Sequence, residues 1–181
     1  MLEILLIALL LGGGVLVYNG LVRLRKLGDA AWADIGVQLR RRFDLIPNLV
    51  ETVKGYAAHE QETLDAVVAA RARAMSAGSP AELAAAEGPL TGALKSLFAL
   101  AEAYPDLKAS EGFRDLQVRL AEVEDALASA RRYYNAVARD YNTRVHQVPH
   151  NLVARSFGFR EREYFEVEEE ARAVPRVDFG R

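Results

Sequence analysis

Nineteen consecutive residues without a charge, 4–22 (ILLIALLLGGGVLVYNGLV), run directly into the basic cluster Arg23, Arg25 and Lys26. As a helix rising about 1.5 Å per residue, the run extends roughly 28 Å, close to the thickness of a bilayer's hydrocarbon core. Twelve of the nineteen are Leu, Ile or Val. Their transfer terms sum to roughly −4 to −7 kcal/mol at mid-bilayer, a margin that Gly12, Gly13, Gly14, Gly20 and Asn19 reduce. A cleaved signal peptide would open with a basic region and carry a shorter apolar stretch. The leader here is Met1-Leu2-Glu3, whose only side-chain charge is negative. A retained transmembrane helix is the better reading.

Cations next to a span stay on the cytoplasmic side, and here all of them lie C-terminal to it. The expected topology is single-pass, N-terminus out, with the domain from Arg23 to Arg181 in the cytoplasm. Residues 1–3 form a short outer tail, 4–22 the span, 23–148 a cytoplasmic helical domain and 149–181 a C-terminal tail. Zero cysteines fits a reducing compartment without requiring one. The glycine triplet gives weak support to helix association in lipid, so a homo-oligomer stays open.

Charge narrows the function classes. The chain holds 23 basic and 25 acidic residues for a net −2, which lacks the concentrated positive face of a nucleic-acid binder. Arg40-Arg41-Arg42, the densest basic run, reads as a solvated helix face near a turn. No stretch alternates as a strand, and helical periodicity pervades the polar part. From Phe113 to Val148 apolar residues recur at three- and four-residue steps: Leu116, Leu120, Val123, Leu127, Ala130, Tyr134, Val137 and Tyr141. Five such heptads predict a long packed helix, capped by Ser110 and ended by Pro149. Ser79-Pro80-Ala81-Glu82 is a capping box with proline at the first helical position, and its helix stops at Tyr104-Pro105 with a kink or restart at Gly88-Pro89.

Leu24, Leu27, Ala31, Ile35 and Leu39 continue one face from the span, with Trp32 placed in the bundle. A second stripe runs from Ile46 through Val53 and Val67 to about Met75. Asp44 and Pro47 resemble an N-cap and a first-turn proline, so a turn at residues 43–46 is expected; one kinked helix of about fifty residues is the alternative. The fold class that follows is all-α, an antiparallel four-helix bundle on an N-terminal transmembrane helix.

These residues resemble the LemA family of bacterial membrane proteins. The matching pieces are YNGLV (18–22), VQLRRRFDLIPNLVETVKGYAAHE (37–60), AEAYPDLKAS (101–110), ARRYYNAVARDYN (130–142), and a tail carrying FGF, YFE and VPRVDF. The likeness covers essentially the whole chain. It implies a single-pass protein with a cytoplasmic bundle, and it carries over no activity and no catalytic residues. Some members of the family belong to bacterial organelle membranes and others are encoded beside membrane-bound metalloproteases. A membrane protease is thus one partner the association suggests.

The residues themselves point to no reaction. Di-iron bundles use Glu-x-x-His, but Tyr56, Thr143 and Gln147 stand three before the three histidines. His146 and His150 are spaced for zinc on an unbroken helix, yet Pro149 lies between them. Neither a nucleophile elbow nor a phosphate loop is present, and no cofactor is expected. Two polar features stand out. Glu60 shares a heptad line with Ile46, Val53, Val67 and Ala74, which would turn its carboxylate toward the core with Arg71 or Arg131 as partner. The repeated Tyr134-Asn135 and Tyr141-Asn142 lie along the seam of the long helix, suited to internal hydrogen bonds or to partner recognition. The tail either straps across the bundle or docks elsewhere. The expected role is a non-enzymatic, membrane-anchored scaffold or adaptor touching the lipid bilayer and a protein partner of unknown identity. A self-assembling protein that organises the membrane is the alternative.

Overall fold

A computed structural model describes residues 1–165, all of whose regular elements are helices. They are α1 (Leu2–Lys54), α2 (Gln61–Met75), α3 (Pro80–Glu102), the short α4 (Pro105–Ala109), α5 (Glu111–His146) and α6 (His150–Phe157). Four of them form the bundle: the second half of α1, then α2, α3 and α5. The pairs Leu21–Tyr141, Trp32–Tyr134 and Arg42–Glu124 show α1 and α5 running antiparallel over most of their length.

The turn expected at residues 43–46 is absent. α1 runs through Pro47 without a break for 53 residues, roughly 80 Å of helix. Two facts explain why proline fails to end it. The buried stripe Ile35, Leu39, Phe43, Ile46, Leu49 and Val53 keeps its three- and four-residue steps across the proline, so packing favours continuity. Pro47 also has no N–H to give the carbonyl four residues back, that of Phe43. Arg71 of α2 supplies the donor instead, its Nε reaching Phe43 O at 2.8 Å.

The reversal lies at residues 55–60. Val53 O accepts from both Tyr56 N (3.0 Å) and Ala57 N (2.9 Å), and Ala57 is buried in the core. The bundle therefore has the expected four helices, with its first corner about a dozen residues later than expected.

Other boundaries follow local chemistry. Ser79 Oγ accepts from Glu82 N at 3.2 Å and Glu82 Oε2 accepts from Gly78 N at 2.7 Å, closing a capping box displaced by one residue. α3 continues through Gly88-Pro89 without restarting. Ser110 caps α5.

Two hydrophobic clusters result. The larger fills the bundle from Ala31 to Phe165. The smaller gathers Leu21, Tyr141, Ala154 and Phe159 where α1, α5 and α6 meet. N-terminal to Val17, α1 stands clear of the bundle with its leucines, isoleucines and valine exposed. Among the described residues it is the one helix long and apolar enough to cross a membrane.

Candidate functional site

The first polar constellation sits inside the bundle. Arg42 belongs to the buried face of α1 and is 1% exposed, whereas its neighbours Arg40 and Arg41 face solvent. The reading of all three as a solvated face is corrected at this residue. Its Nη1 donates to Glu87 Oε2 of α3 at 2.9 Å, and its Nε lies 2.5 Å from Glu124 Oε1 of α5. Arg131 of α5 reaches the same Glu87 oxygen at 2.6 Å. Two guanidinia thus face two carboxylates in a cluster that joins three helices. Burial pushes the Glu124 carboxyl above the ordinary carboxylate range; Arg42 and Arg131 pull it down without cancelling that effect. A groove of about 310 Å³ between α3 and α5 leads to this cluster over Leu94, Phe98 and Leu120.

The second constellation runs along α5. After α6, Gly158 adopts a left-handed conformation (φ +70°) that only glycine takes without strain, and the chain reverses there. Residues 159–165 then lie against α5 without regular structure of their own. Asn142 holds this strap by both ends of its amide. Its Nδ2 donates to Arg162 O at 2.9 Å, and its Oδ1 accepts from Arg162 N at 2.8 Å. Asn135 repeats the pattern on Phe165, at 2.9 and 2.8 Å. Seven helical residues rise about 10 Å and three extended residues span about the same, so the two asparagines meet every third strap residue in register. Tyr134 adds a hydrogen bond from its hydroxyl to Glu163 O at 2.8 Å. Burial raises the Tyr134 hydroxyl above its ordinary pKa, and Arg162 opposes the shift.

Arg162 closes the strap onto α1. Its Nη2 donates to Arg25 O at 2.8 Å and pairs with Asp29. Gly28 makes the approach feasible, since a Cβ there would stand 2.6 Å from Arg162 Nε. Arg131 places its guanidinium 4.7 Å from the Phe165 ring centre, linking strap and ion cluster.

The residues singled out from sequence therefore fall into different places. Tyr134, Asn135 and Asn142 are brought together on the strap, and Tyr141 is buried against Leu21 in the smaller cluster. Arg131 enters the ion cluster. Glu60 does not join Arg71 or Arg131; the corner at 55–60 makes it the N-cap residue of α2, where it accepts from the Tyr104 hydroxyl at 3.2 Å. Arg71 instead serves Phe43. His146 meets Glu161 and His150 meets Arg144, so the two histidines do not converge.

Sequence reasoning missed Arg42, Glu87, Glu124, Gly28, Asp29 and Arg162. Arg42 and Glu87 were findable, because each occupies a core step of its own stripe, after Ile35-Leu39 and between Leu83 and Leu90. The tail residues 166–181, with Glu166, Glu168-Glu169-Glu170 and Phe179, lie outside the described residues.

Residues 31–179 match the LemA family. The chain is 26% identical over 175 residues to Magnetosome protein MamQ 2 of Paramagnetospirillum magneticum (strain ATCC 700264 / AMB-1), covering 82% of this chain and 64% of that one. It is 28% identical over 143 residues to Protein LemA of Metamycoplasma hominis, covering 77% and 62%. It thus spans somewhat less than two thirds of the relatives it matches.

Proposed function

We propose that this chain, which belongs to the LemA family, is a membrane-anchored, non-enzymatic scaffold or adaptor. The observation that carries the reading is the continuity of α1. One helix begins as an exposed apolar rod and ends as a core element of the bundle. A bilayer would fill the place of the contacts the rod lacks, and the bundle would then be held at a set height and rotation. Arg23, Arg25 and Lys26 set the orientation, with the bundle in the cytoplasm. The structural use of Arg71, Asn135 and Asn142, each bonded to this chain's own backbone, is consistent with a role in presenting surfaces. The partner would be a protein, with a membrane protease as one candidate.

Photo-crosslinking groups at the exposed Val68, Val118 and Tyr133 test this in native membranes. A reproducible heterologous adduct supports it, and absence of any adduct across growth conditions overturns it. The second reading, self-assembly that organises the membrane, is favoured by similarity to proteins named for the magnetosome. Adducts to a second copy would select it, and a strictly monomeric pattern would remove it.

A further inference from the structure

The end of the bundle nearest the apolar run has a feature that anchoring alone does not require. α6 packs beside residues 17–24 of α1, burying Ala154 and half-burying Val153. Val148 just before it, and Leu152 and Phe157 within it, are 72, 62 and 64% exposed. Tyr18 meets the Phe157 ring edge-on at 4.9 Å and the Phe159 ring at 5.6 Å. Tyr18 stands four residues inside the uncharged run, roughly 6 Å short of its end along the helix. Phe157 is therefore level with the last turns of the uncharged run, within a turn of the exposed Val15 and Leu16. If residues 4–22 are immersed, α6 has no other place to be than the lipid boundary.

Charge agrees. Exposed Arg23, Arg25 and Lys26 of α1, Arg144 of α5, and Arg155 and Arg160 around α6 collar this end. The acidic groups near them are Asp29, Asp140 and Glu161. Asp29 is paired with Arg162, Glu161 with His146, and Asp140 lies 3.8 Å from Arg139. Apolar side chains beneath a ring of cations are the composition of a helix lying in a headgroup layer. Tyrosine rings such as that of Tyr18 are enriched at that depth.

We propose that α6 is an interfacial foot, pressing Leu152 and Phe157 into the surface of an anionic bilayer while Arg155 and Arg160 engage its phosphates. This rests on the reading of residues 4–22 as a span. The foot would add a second membrane contact beside the span and stop the bundle from swivelling about α1. Each cation at an anionic surface contributes about fivefold in local affinity, so removing two costs roughly an order of magnitude or more.

The absence of cysteine makes the test direct. Full-length Ile7→Cys, Leu152→Cys and Val118→Cys variants are spin-labelled and reconstituted into phosphatidylcholine–phosphatidylglycerol vesicles. Collision with oxygen is compared with collision with a water-soluble nickel chelate. The expected result is a hydrocarbon-like label at residue 7, an aqueous one at 118 and an interfacial one at 152. Introducing Arg155→Glu and Arg160→Glu, or omitting phosphatidylglycerol, should shift residue 152 toward water by about tenfold in immersed fraction. An aqueous label at 152 beside an immersed one at 7 overturns the foot and leaves the span standing. An aqueous label at 7 overturns both. A 152 label indifferent to lipid charge and to both arginines overturns the anionic recognition.

Discussion

If Arg71 repairs the gap left by Pro47, the two residues must be energetically coupled although they lie on different helices. Removing Arg71 as Arg71→Ala takes a charged donor from Phe43 O, an interaction worth about 1.5–3 kcal/mol where it is shielded. Arg71 is only half-buried, which puts the expected loss near the lower end, about 1.5 kcal/mol. Pro47→Ala restores the missing N–H and relieves a helix-interior proline, a gain of up to about 3 kcal/mol in a free helix. Here the fold already accommodates the proline, and alanine loosens the unfolded chain by about 0.4–1 kcal/mol. A net stabilisation of about 1–2 kcal/mol is expected.

The decisive quantity is the double variant. In the Pro47→Ala background Phe43 O has a backbone partner, so Arg71→Ala should cost only about 0.5 kcal/mol, leaving a coupling of about 1 kcal/mol. Trp32 is the sole tryptophan and packs 5.4 Å from the Tyr134 ring, so its fluorescence follows bundle unfolding in detergent or nanodiscs. Urea titration of the four proteins yields the cycle, and the Arg71→Ala variant should also melt about 3–6 °C lower. Additivity within about 0.3–0.5 kcal/mol would refute the repair.

Asn142→Ala removes two hydrogen bonds to the strap, a loss of about 1–3 kcal/mol, read as faster amide exchange at Arg162 with its neighbours. Gly28→Ala should displace the Arg162 guanidinium and speed exchange across 159–165, yet leave global stability level or higher because alanine favours helix by about 1 kcal/mol. Arg42→Ala leaves Glu87 with Arg131 alone, takes the close partner from Glu124, and should cost about 3 kcal/mol; an Arg42→Met, Glu87→Leu pair should be less harmful than Arg42→Met alone in thermal melts. Glu124 has a raised folded-state pKa, so its protonated form favours the fold below the ordinary value of 4.5, and this contribution is lost as pH rises through the folded value. Glu124→Gln should therefore gain stability relative to wild type as pH climbs from acid to neutral, and a flat difference would contradict the burial effect.

Features with local causes were legible in the sequence. The heptads of α5, the Ser110 cap and the Ser79-Pro80-Glu82 start depend on residues within a turn of one another, and the helices form where those signals lie. The first corner was not legible, because the donor that rescues Pro47 comes from another helix, 28 residues beyond the carbonyl of Phe43 that it serves. Arg42 and Glu87 are instructive in a different way. Their stripe positions placed them in the core, but charge argued for solvent, and the conflict is resolved only by partners 45 residues apart. The Tyr-Asn repeat marked the right face of α5. What it faces, a strap with no periodicity, has no pattern to read.

The strap changes what the two clusters can do separately. Without Arg162, the smaller cluster would hold α6 to α1 through Leu21, Tyr141, Ala154 and Phe159 alone. With it, the chain after α6 is bonded to Arg25 O, to Asp29 and, twice over, to α5. These ties all lie between residues 25 and 29 of α1 and residues 134 and 142 of α5, below the level of the Arg42 cluster. Loosening the strap should therefore free α6 and the start of the bundle while the ion cluster keeps its register. The molecule thus holds its helices together by charge in the middle and by backbone ties at the end next to the apolar run. On the proposed anchoring, that arrangement would fix how the bundle meets the bilayer.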